Sequence, residues 1–333
     1  MLKKPKILVV GSLNMDLIAS AERAPRAGET VIGGKFQTAP GGKGLNQAVQ
    51  CAKLGAGITM LGKVGADDFG KALVKVAGEA GVDVSRVLTD AAEATGVAMI
   101  QLETQNGSTQ NRITVCPGAN YTVTAEELAW LKGEIAAYDM LILQFELPMN
   151  VVEEVAAWAH EAGVPVMVNP APAAPMSDRL LACADYLSPN EHEAALLADH
   201  LIRVGEGICF EDVAAVAAAF HARGVKNLII TMGGNGSVIA GSGEIHHTPC
   251  VRMPQVADPT AAGDSFVAAF CTALTAGLEQ EQALAFASHT AAITISRMGA
   301  IPSLPTLDEV QALLREREYP GFDPGILDAL KEG

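Results

Sequence analysis

The sequence predicts an α/β fold: a doubly wound, mainly parallel sheet with helices on both faces, plus a small β-sheet lid. Three observations carry this. Strand-like and helix-like segments alternate over most of the 333 residues, the pattern of βαβ units. Several strand candidates, among them "KILVVG", "MLILQFE" and "VPVMVNP", are near-continuous apolar runs, as expected where both sheet faces are covered. Two early stretches, about 12–42 and 94–117, are glycine-broken or alternating and do not fit between the helices of that alternation. They read as exposed strands of a lid inserted into a single domain that spans residues 1–333.

In chain order, "KILVVG" at 6–11 opens the domain as a buried strand ending in glycine. "GSLNMDL" and "ETVIGGKFQTAPGG" supply the first lid strands. "GLNQAVQCAKLG" is a helix before the strand "ITMLGKVG", and "FGKALVKVAGEAG" is the next helix. "ATGVAMIQLE" and "NRITVC" return to the lid. Thr124 and Glu127 have capping-box spacing and predict a helix over "TAEELAWLKGEI". The strand "MLILQFE", the helix "VVEEVAAWAHEAG" and the strand "VPVMVNP" then make a βαβ unit. "DYLSPN" and "NLIITMGG" add strands, and further helices begin near Asp212, Asp264 and Glu281. The loop "NPAPAAPMSD" follows a strand, where ligand-contacting loops of open α/β sheets lie.

Composition excludes several classes. A net charge of −15 and a pI near 4.9 leave no basic stripe for nucleic acid or an anionic membrane surface. An anionic substrate must therefore be held by local donors. No stretch reaches the roughly 18 uninterrupted apolar residues of a membrane span, and the N-terminal apolar run is too short for a signal sequence. The six cysteines are scattered singly, which predicts buried, reduced thiols in a cytoplasmic protein. The seven histidines show no zinc spacing.

Some motifs fail on inspection. "GITMLGK" at 57–63 has the outline of a P-loop, but Val64 follows where a metal-binding hydroxyl is required, and the intervening residues are strand-like. No G-x-G-x-x-G follows the first strand, which disfavours a dinucleotide-dependent oxidoreductase.

Others remain open between a structural and a functional reading. In "PGGKGLNQA" the paired glycines allow close backbone approach to a ligand, with Lys43 and Asn46 at a helix start. A glycine turn with a solvated lysine would look the same. Asn14 and Asp16 share one face of an extended segment, suited to vicinal hydroxyls or to an ordinary polar strand face. Asn190 and Glu193 in "SPNEHEA" fit either a hydrated Mg²⁺ or helix capping. In "DPTAAGDSF" the small residues Ala261, Ala262 and Gly263 open a helix whose N–H groups can cradle an anion. Asp264 in that first turn is either a dipole-favoured cap or a carboxylate held over the anion for chemistry.

Ten blocks in order resemble the ribokinase-like carbohydrate kinase family (phosphofructokinase B type): "GSLNMDL", "PGGKGLNQA", "GKVGADDFG", "ATGVAM", "PGAN", "NPAPA", "SPNEHEA", "TMGGNGSV", "DPTAAGDSF" and "RMGAIPS". The resemblance runs from about residue 6 to 305. It implies an ATP-dependent kinase acting on a primary hydroxyl of a sugar, with D-ribose the first choice. Deoxyribose, a ketose, a hexose or a nucleoside is the alternative acceptor, and a sugar-binding regulatory protein on the same fold the non-enzyme alternative. By matched position, Asn14, Asp16, Gly42, Lys43, Asn46 and Glu146 would bind the sugar. Asn190, Thr231, Gly233, Gly234, Gly236 and the region of His289 would line the ATP site, with Glu193 near Mg²⁺ through water. Asp264 would be the base, and the backbone of Ala261–Gly263 the anion hole. A potassium-like cation would sit at Asp258, Thr260, Thr294, Arg297, Gly299 and Ser303. The resemblance also implies a homodimer through the lids.

The chain departs from the family pattern at four places. Pro259 stands where threonine usually follows the first aspartate of the last motif, and Ala261 where glycine is common. Pro259 lacks an N–H and fixes φ, so the cation loop is the part most exposed to change. Phe145 flanks Glu146, and the tail after Pro305 is longer than the family leads one to expect.

Overall fold

Each apolar run of the large sheet splits its side chains between two cores, as the computed structural model of the protein shows. The structure describes residues 2–105, 108–204, 207–241 and 243–331. In the first strand, Lys6–Val10, Ile7 and Val9 join one hydrophobic cluster and Leu8 and Val10 the other. That division is the period-2 pleat with both faces covered.

Nine strands form the large sheet, in the spatial order Ile245–Thr248, Ser237–Ala240, Asn227–Thr231, Tyr186–Leu187, Val166–Val168, Met140–Leu143, Lys6–Val10, Gly57–Leu61 and Val82–Asp83. Pairing is parallel from Asn227–Thr231 to the Val82–Asp83 edge, and antiparallel in the final hairpin. The chain first winds outward from Lys6–Val10 through Gly57–Leu61, then returns to its other side at Met140–Leu143. The order therefore reverses between Lys6–Val10 and Met140–Leu143. In open α/β sheets the crevice beyond the carboxyl ends at such a reversal is where ligands bind. The residues just past those two ends are Gly11–Asn14 and Gln144–Glu146.

The helices Lys43–Lys53, Ala262–Ala276 and Gln280–Ile295 cover one face, and Met149–Glu161 and Phe210–His221 the other. Ala262–Ala276 packs against both of its companions. Its alanines keep the helices close, while Phe270 is fully buried edge-on to Tyr186 with ring centroids 5.5 Å apart.

A separate four-stranded sheet contains Lys35–Gly41, Asn14–Ala21, Gly96–Gln105 and Ser108–Cys116, in that order. Its strands come from the two stretches that did not fit between helices. Residues 106 and 107 of the second stretch lie outside the described residues.

Three local expectations are corrected. The Thr124–Glu127 box closes, with Glu127 Oε2 accepting from Thr124 N at 2.9 Å and Thr124 Oγ1 from Glu127 N at 3.3 Å. No α-helix follows, only the 3₁₀ turns Ala129–Gly133 and Ile135–Ala137. The buried pair Leu128 and Leu131 is spaced by three, which suits a 3₁₀ turn as well as an α turn, and Gly133 weakens the helix. The run "ITMLGKVG" is two strands, since Lys63–Gly65 leaves the large sheet and pairs with Leu88–Asp90. Of the cysteines, which form no disulfide, Cys51, Cys183 and Cys271 are buried, Cys209 and Cys250 half-buried and Cys116 exposed. Among the described residues no helix is long and apolar enough to cross a membrane.

Candidate active site

At the sheet reversal, Glu146 collects donors from both sides. Its Oε2 accepts from the Ser12 hydroxyl, from Asn14 Nδ2 at 3.3 Å and from Lys43 N at 3.1 Å. Asn14 is oriented in turn by Asn120, whose Nδ2 donates to Asn14 Oδ1 at 2.8 Å. Gly42 makes the junction possible. Its φ of +95° is a glycine conformation, and a Cβ there would meet Asn14 N at 2.7 Å.

Asp16 stands on the small sheet, 9% exposed. Burial raises its pKa from 3.8 to about 7, reinforced by the nearby charges of Glu146 and Asp264. Lys43 shows the opposite balance. Burial opposes its charge, but Asp264, Glu146 and Glu193 outweigh that and raise its pKa. One half-buried cation thus faces three carboxylates.

Asp264 is not a helix cap. It is 7% exposed and makes no capping bond to its own helix. Instead Asn46 Nδ2 donates to its Oδ2 at 2.9 Å and Gln47 Nε2 to its Oδ1 at 3.0 Å, both from Lys43–Lys53. Ala261, just before the helix, has φ +60° and ψ 9°, a left-handed conformation where an alanine costs about 1 kcal/mol. Of the three small residues read as a cradle, Ala262 already donates its N–H to Pro259 O at 3.2 Å. The N–H groups of Gly263 and Asp264 have no intrahelical acceptor, because they lie in a helix's first turn.

Two adjoining cavities meet at this helix start and share Thr231, Pro259, Ala262 and Gly263. The smaller, about 210 Å³, is polar, with Lys43, Asn169, Ser188, Asn190, Glu193 and Asp264 on its walls. The larger, about 550 Å³, is lined by Gly233, Gly234 and Gly236 and by apolar groups such as Val251, Phe266 and Ala292. Gly233 and Gly236 have φ of +49° and +86°, so the loop's backbone borders the cavity without a bulky wall.

His289 does not reach it. The residues of Gln280–Ile295 on the cavity are Ser288, Ala291, Ala292 and Ile295, an i, i+3, i+4, i+7 stripe. His289 is one position off that stripe, 2% exposed, with Nδ1 against Ala285 O and its ring edge-on to Tyr319. Its neighbours on the helix line the cavity, whereas His289 itself faces the core.

Asn190 and Glu193 form a complete capping box: Asn190 Oδ1 accepts from Glu193 N at 2.8 Å and Glu193 Oε2 from Asn190 N at 2.9 Å. The capping reading of the pair is met, and the capped helix start also walls the smaller cavity. Farther along, Asp258 joins two loops through Thr260 N and Gly299 N, each at 2.9 Å. Thr294 and Ser303 donate their hydroxyls to Thr290 O and Ala300 O, and Arg297 pairs with Glu309. Among the described residues no cluster of three His, Cys, Asp or Glu side chains suits a metal.

Sequence reasoning missed Gln47, Gln144 and Asn169. A signal for the first was present: "KGLNQAVQCAK" carries three amides in an otherwise small or apolar helix whose residues 44–51 are all buried. Buried amides need partners.

Comparison with known proteins bears on this geometry. Residues 4–307 match the family described as pfkB family carbohydrate kinase, and the chain belongs to that family of sugar kinases, enzymes that phosphorylate a hydroxyl group. The chain is 38% identical over 309 residues to the ribokinase of Bacillus subtilis, covering 92% of this chain and 99% of that one. Identity to the Schizosaccharomyces pombe ribokinase is 39% over 312 residues, covering 91% and 96%. The fold matches the structure of Arabidopsis thaliana ribokinase complexed with ribose and ATP, with a TM-score of 0.86, 33% identity and coverage of 94% and 99%.

Proposed function

We propose that this chain transfers the γ-phosphoryl group of ATP to the 5-hydroxyl of D-ribose, giving D-ribose 5-phosphate and ADP. The observation that carries this reading is the meeting of a buried, doubly hydrogen-bonded Asp264 with a helix start at the junction of a polar and an apolar cavity. The ribokinases among its relatives support ribose as the acceptor.

The polar cavity and the small sheet supply hydroxyl partners, Asn14, Asp16, Lys43, Asn46 and Glu146, and Gly42 lets them converge. The larger cavity takes the nucleotide along Thr231, Gly233, Gly234 and Gly236, with the phosphates toward Asn190 and the helix start. The ribose oxygen forms a bond to the γ-phosphorus as the bond to the bridging oxygen breaks and ADP leaves. The hydroxyl proton passes to Asp264. In a loose transition state this proton leaves late, so the carboxylate mainly orients the hydroxyl. The free N–H groups at the helix start, with Ala261 and the helix dipole behind them, stabilise charge on the transferred group at roughly 3 kcal/mol per donor. The small sheet acts as a lid that keeps water from competing with the sugar.

Two ions belong to this reading. Mg²⁺ bound to the nucleotide would neutralise phosphate charge, and Glu193, one of whose carboxylate oxygens stays outside the capping box, would hold its water shell. The loops that Asp258 joins offer carbonyl, hydroxyl and carboxylate oxygens, hard donors that suit K⁺. We also assign a homodimer through the small sheets, supported by Ile113 and Val115, which are 53% and 44% exposed.

The test is ADP release with ribose, deoxyribose, hexoses and nucleosides, with and without K⁺. Ribose is expected to give the highest kcat/KM, and Asp264→Asn to lose nearly all turnover while still binding ribose and ATP. Turnover of a hexose or nucleoside with ribose inert overturns the acceptor, and an undiminished Asp264→Asn rate overturns the base.

A further inference from the structure

We propose that Gln47 is the positioning residue for Asp264: its buried amide fixes the plane of that carboxylate without touching the sugar. The inference rests on the reading of Asp264 as the proton acceptor.

Gln47 is fully buried, and both the oxygen and the nitrogen of its amide are engaged by protein partners. Its Oε1 accepts from Gln144 Nε2 at 2.6 Å. Its Nε2 donates to Asn169 Oδ1 at 3.1 Å and to Asp264 Oδ1 at 3.0 Å. Asn169 is itself oriented, because its Nδ2 donates to Ser188 O at 2.8 Å. Turning the Gln47 amide over would aim oxygen at the carboxylate and at Asn169 Oδ1, and nitrogen at nitrogen. Only one orientation is therefore compatible with its surroundings.

The anchors lie on rigid ground. Gln144 and Asn169 directly follow the adjacent strands Met140–Leu143 and Val166–Val168, and Ser188 directly follows Tyr186–Leu187. Three neighbouring strand ends thus hold one amide, and that amide holds the base. Asn46 works differently. It donates to Asp264 Oδ2, but its own Oδ1 is buried without a protein partner, so it is divided between the base and a ligand hydroxyl. Gln47 has no atom left for the ligand. When Asn46 engages the sugar, Gln47 alone keeps Oδ1 in place and Oδ2 turned toward the reacting hydroxyl.

A residue that only aims the base acts on kcat and spares the binding of both substrates. Gln47→Met keeps the length and removes the amide. Its kcat is expected to fall about 10- to 100-fold, as for a base misplaced by a fraction of an ångström. The KM values for ribose and ATP should stay within about 3-fold. Gln144→Met, which touches neither Asp264 nor a cavity wall, should show a smaller loss of the same kind and decides the matter if Gln47→Met does not fold by its thermal transition. In an Asp264→Asn background, Gln47→Met should change the residual rate by less than about 2-fold, because the group it aims is gone. An unchanged kcat, a loss confined to KM, or a loss that persists in the Asp264→Asn background overturns the inference. If Asp264→Asn itself turns over normally, the assignment of the base fails first. If Asp264→Asn is inactive and Gln47→Met is normal, only the role of Gln47 falls.

Discussion

Ala261 and Asp16 show two ways in which single residues of this site oppose stability. Ala261 occupies the left-handed region at φ +60° immediately before the helix that carries Asp264. A glycine there removes the Cβ conflict but frees the unfolded chain, and the first effect is the larger where φ is positive. Ala261→Gly should gain about 0.5–1 kcal/mol in urea unfolding with turnover retained; a loss of stability would show that the alanine packs better than its backbone suggests. Asp16 is strained electrostatically. With its pKa at about 7 in the folded chain against 3.8 ordinarily, the folded protein holds a proton between those values that the unfolded chain has released. Stability from this group is complete below pH 3.8 and is lost as pH rises to about 7, by up to about 4 kcal/mol. Asp16→Asn should therefore be more stable than the parent at pH 8, by a margin that shrinks towards pH 4, while sugar binding weakens. Equal margins at both pH values would mean that Asp16 is ionised throughout. The carboxylate is the form that accepts sugar hydroxyls, so the parent's ribose affinity should rise from pH 6 to 8.

Among the elements, the hairpin Asn227–Thr231 and Ser237–Ala240 forms one wall of the larger cavity through its connecting turn. Met232 N donates to Gly236 O at 2.8 Å, and a Cβ on Gly236 would lie 2.1 Å from Thr248 O, a backbone atom, at a φ of +86°. Gly236→Ala must open the turn, so it should cost about 2 kcal/mol or more and raise the KM for ATP well beyond that for ribose; equal effects on both KM values would place the turn outside the nucleotide site. Elements such as this were readable because apolar runs and glycines mark buried strands and tight turns. "TAEELAWLKGEI" misled because capping chemistry is local, whereas the winding that follows depends on which leucines reach the core. His289 misled because order along the chain says nothing of the 100° step that separates it from Ser288. The nearness of Asp264 to Lys43, Asn46 and Asn190 was legible only through the family resemblance. Gln47, Gln144 and Asn169 escaped because their partners lie 97 to 217 residues away in sequence.

At the scale of the whole molecule, the net charge of −15 contrasts with a small sheet whose outer strand is apolar where it could be polar. Register places Asp16 beside Ala98 and Ala98 beside Val115, and likewise Ile18 beside Ile100 and Ile100 beside Ile113. Paired residues share a sheet face, so the exposed Val115 and Ile113 stand on the face that carries Asp16, along an edge strand whose free backbone groups also need a partner. The proposed second copy of this chain would meet both needs, and it would tie the sheet that carries Asp16 in one subunit to that of the other. Val115→Lys places a charge into that contact without touching the large sheet or either cavity. Sedimentation equilibrium should then show a dimer dissociation constant raised by about 30-fold or more, corresponding to about 2 kcal/mol. The KM for ribose should rise with it, as Asp16 loses the support of its sheet, and the thermal transition of the large domain should stay in place. A parent protein that sediments as a monomer, or a variant that dimerises as tightly as the parent, would remove the small sheet from the interface and leave Val115 and Ile113 as part of the lid alone.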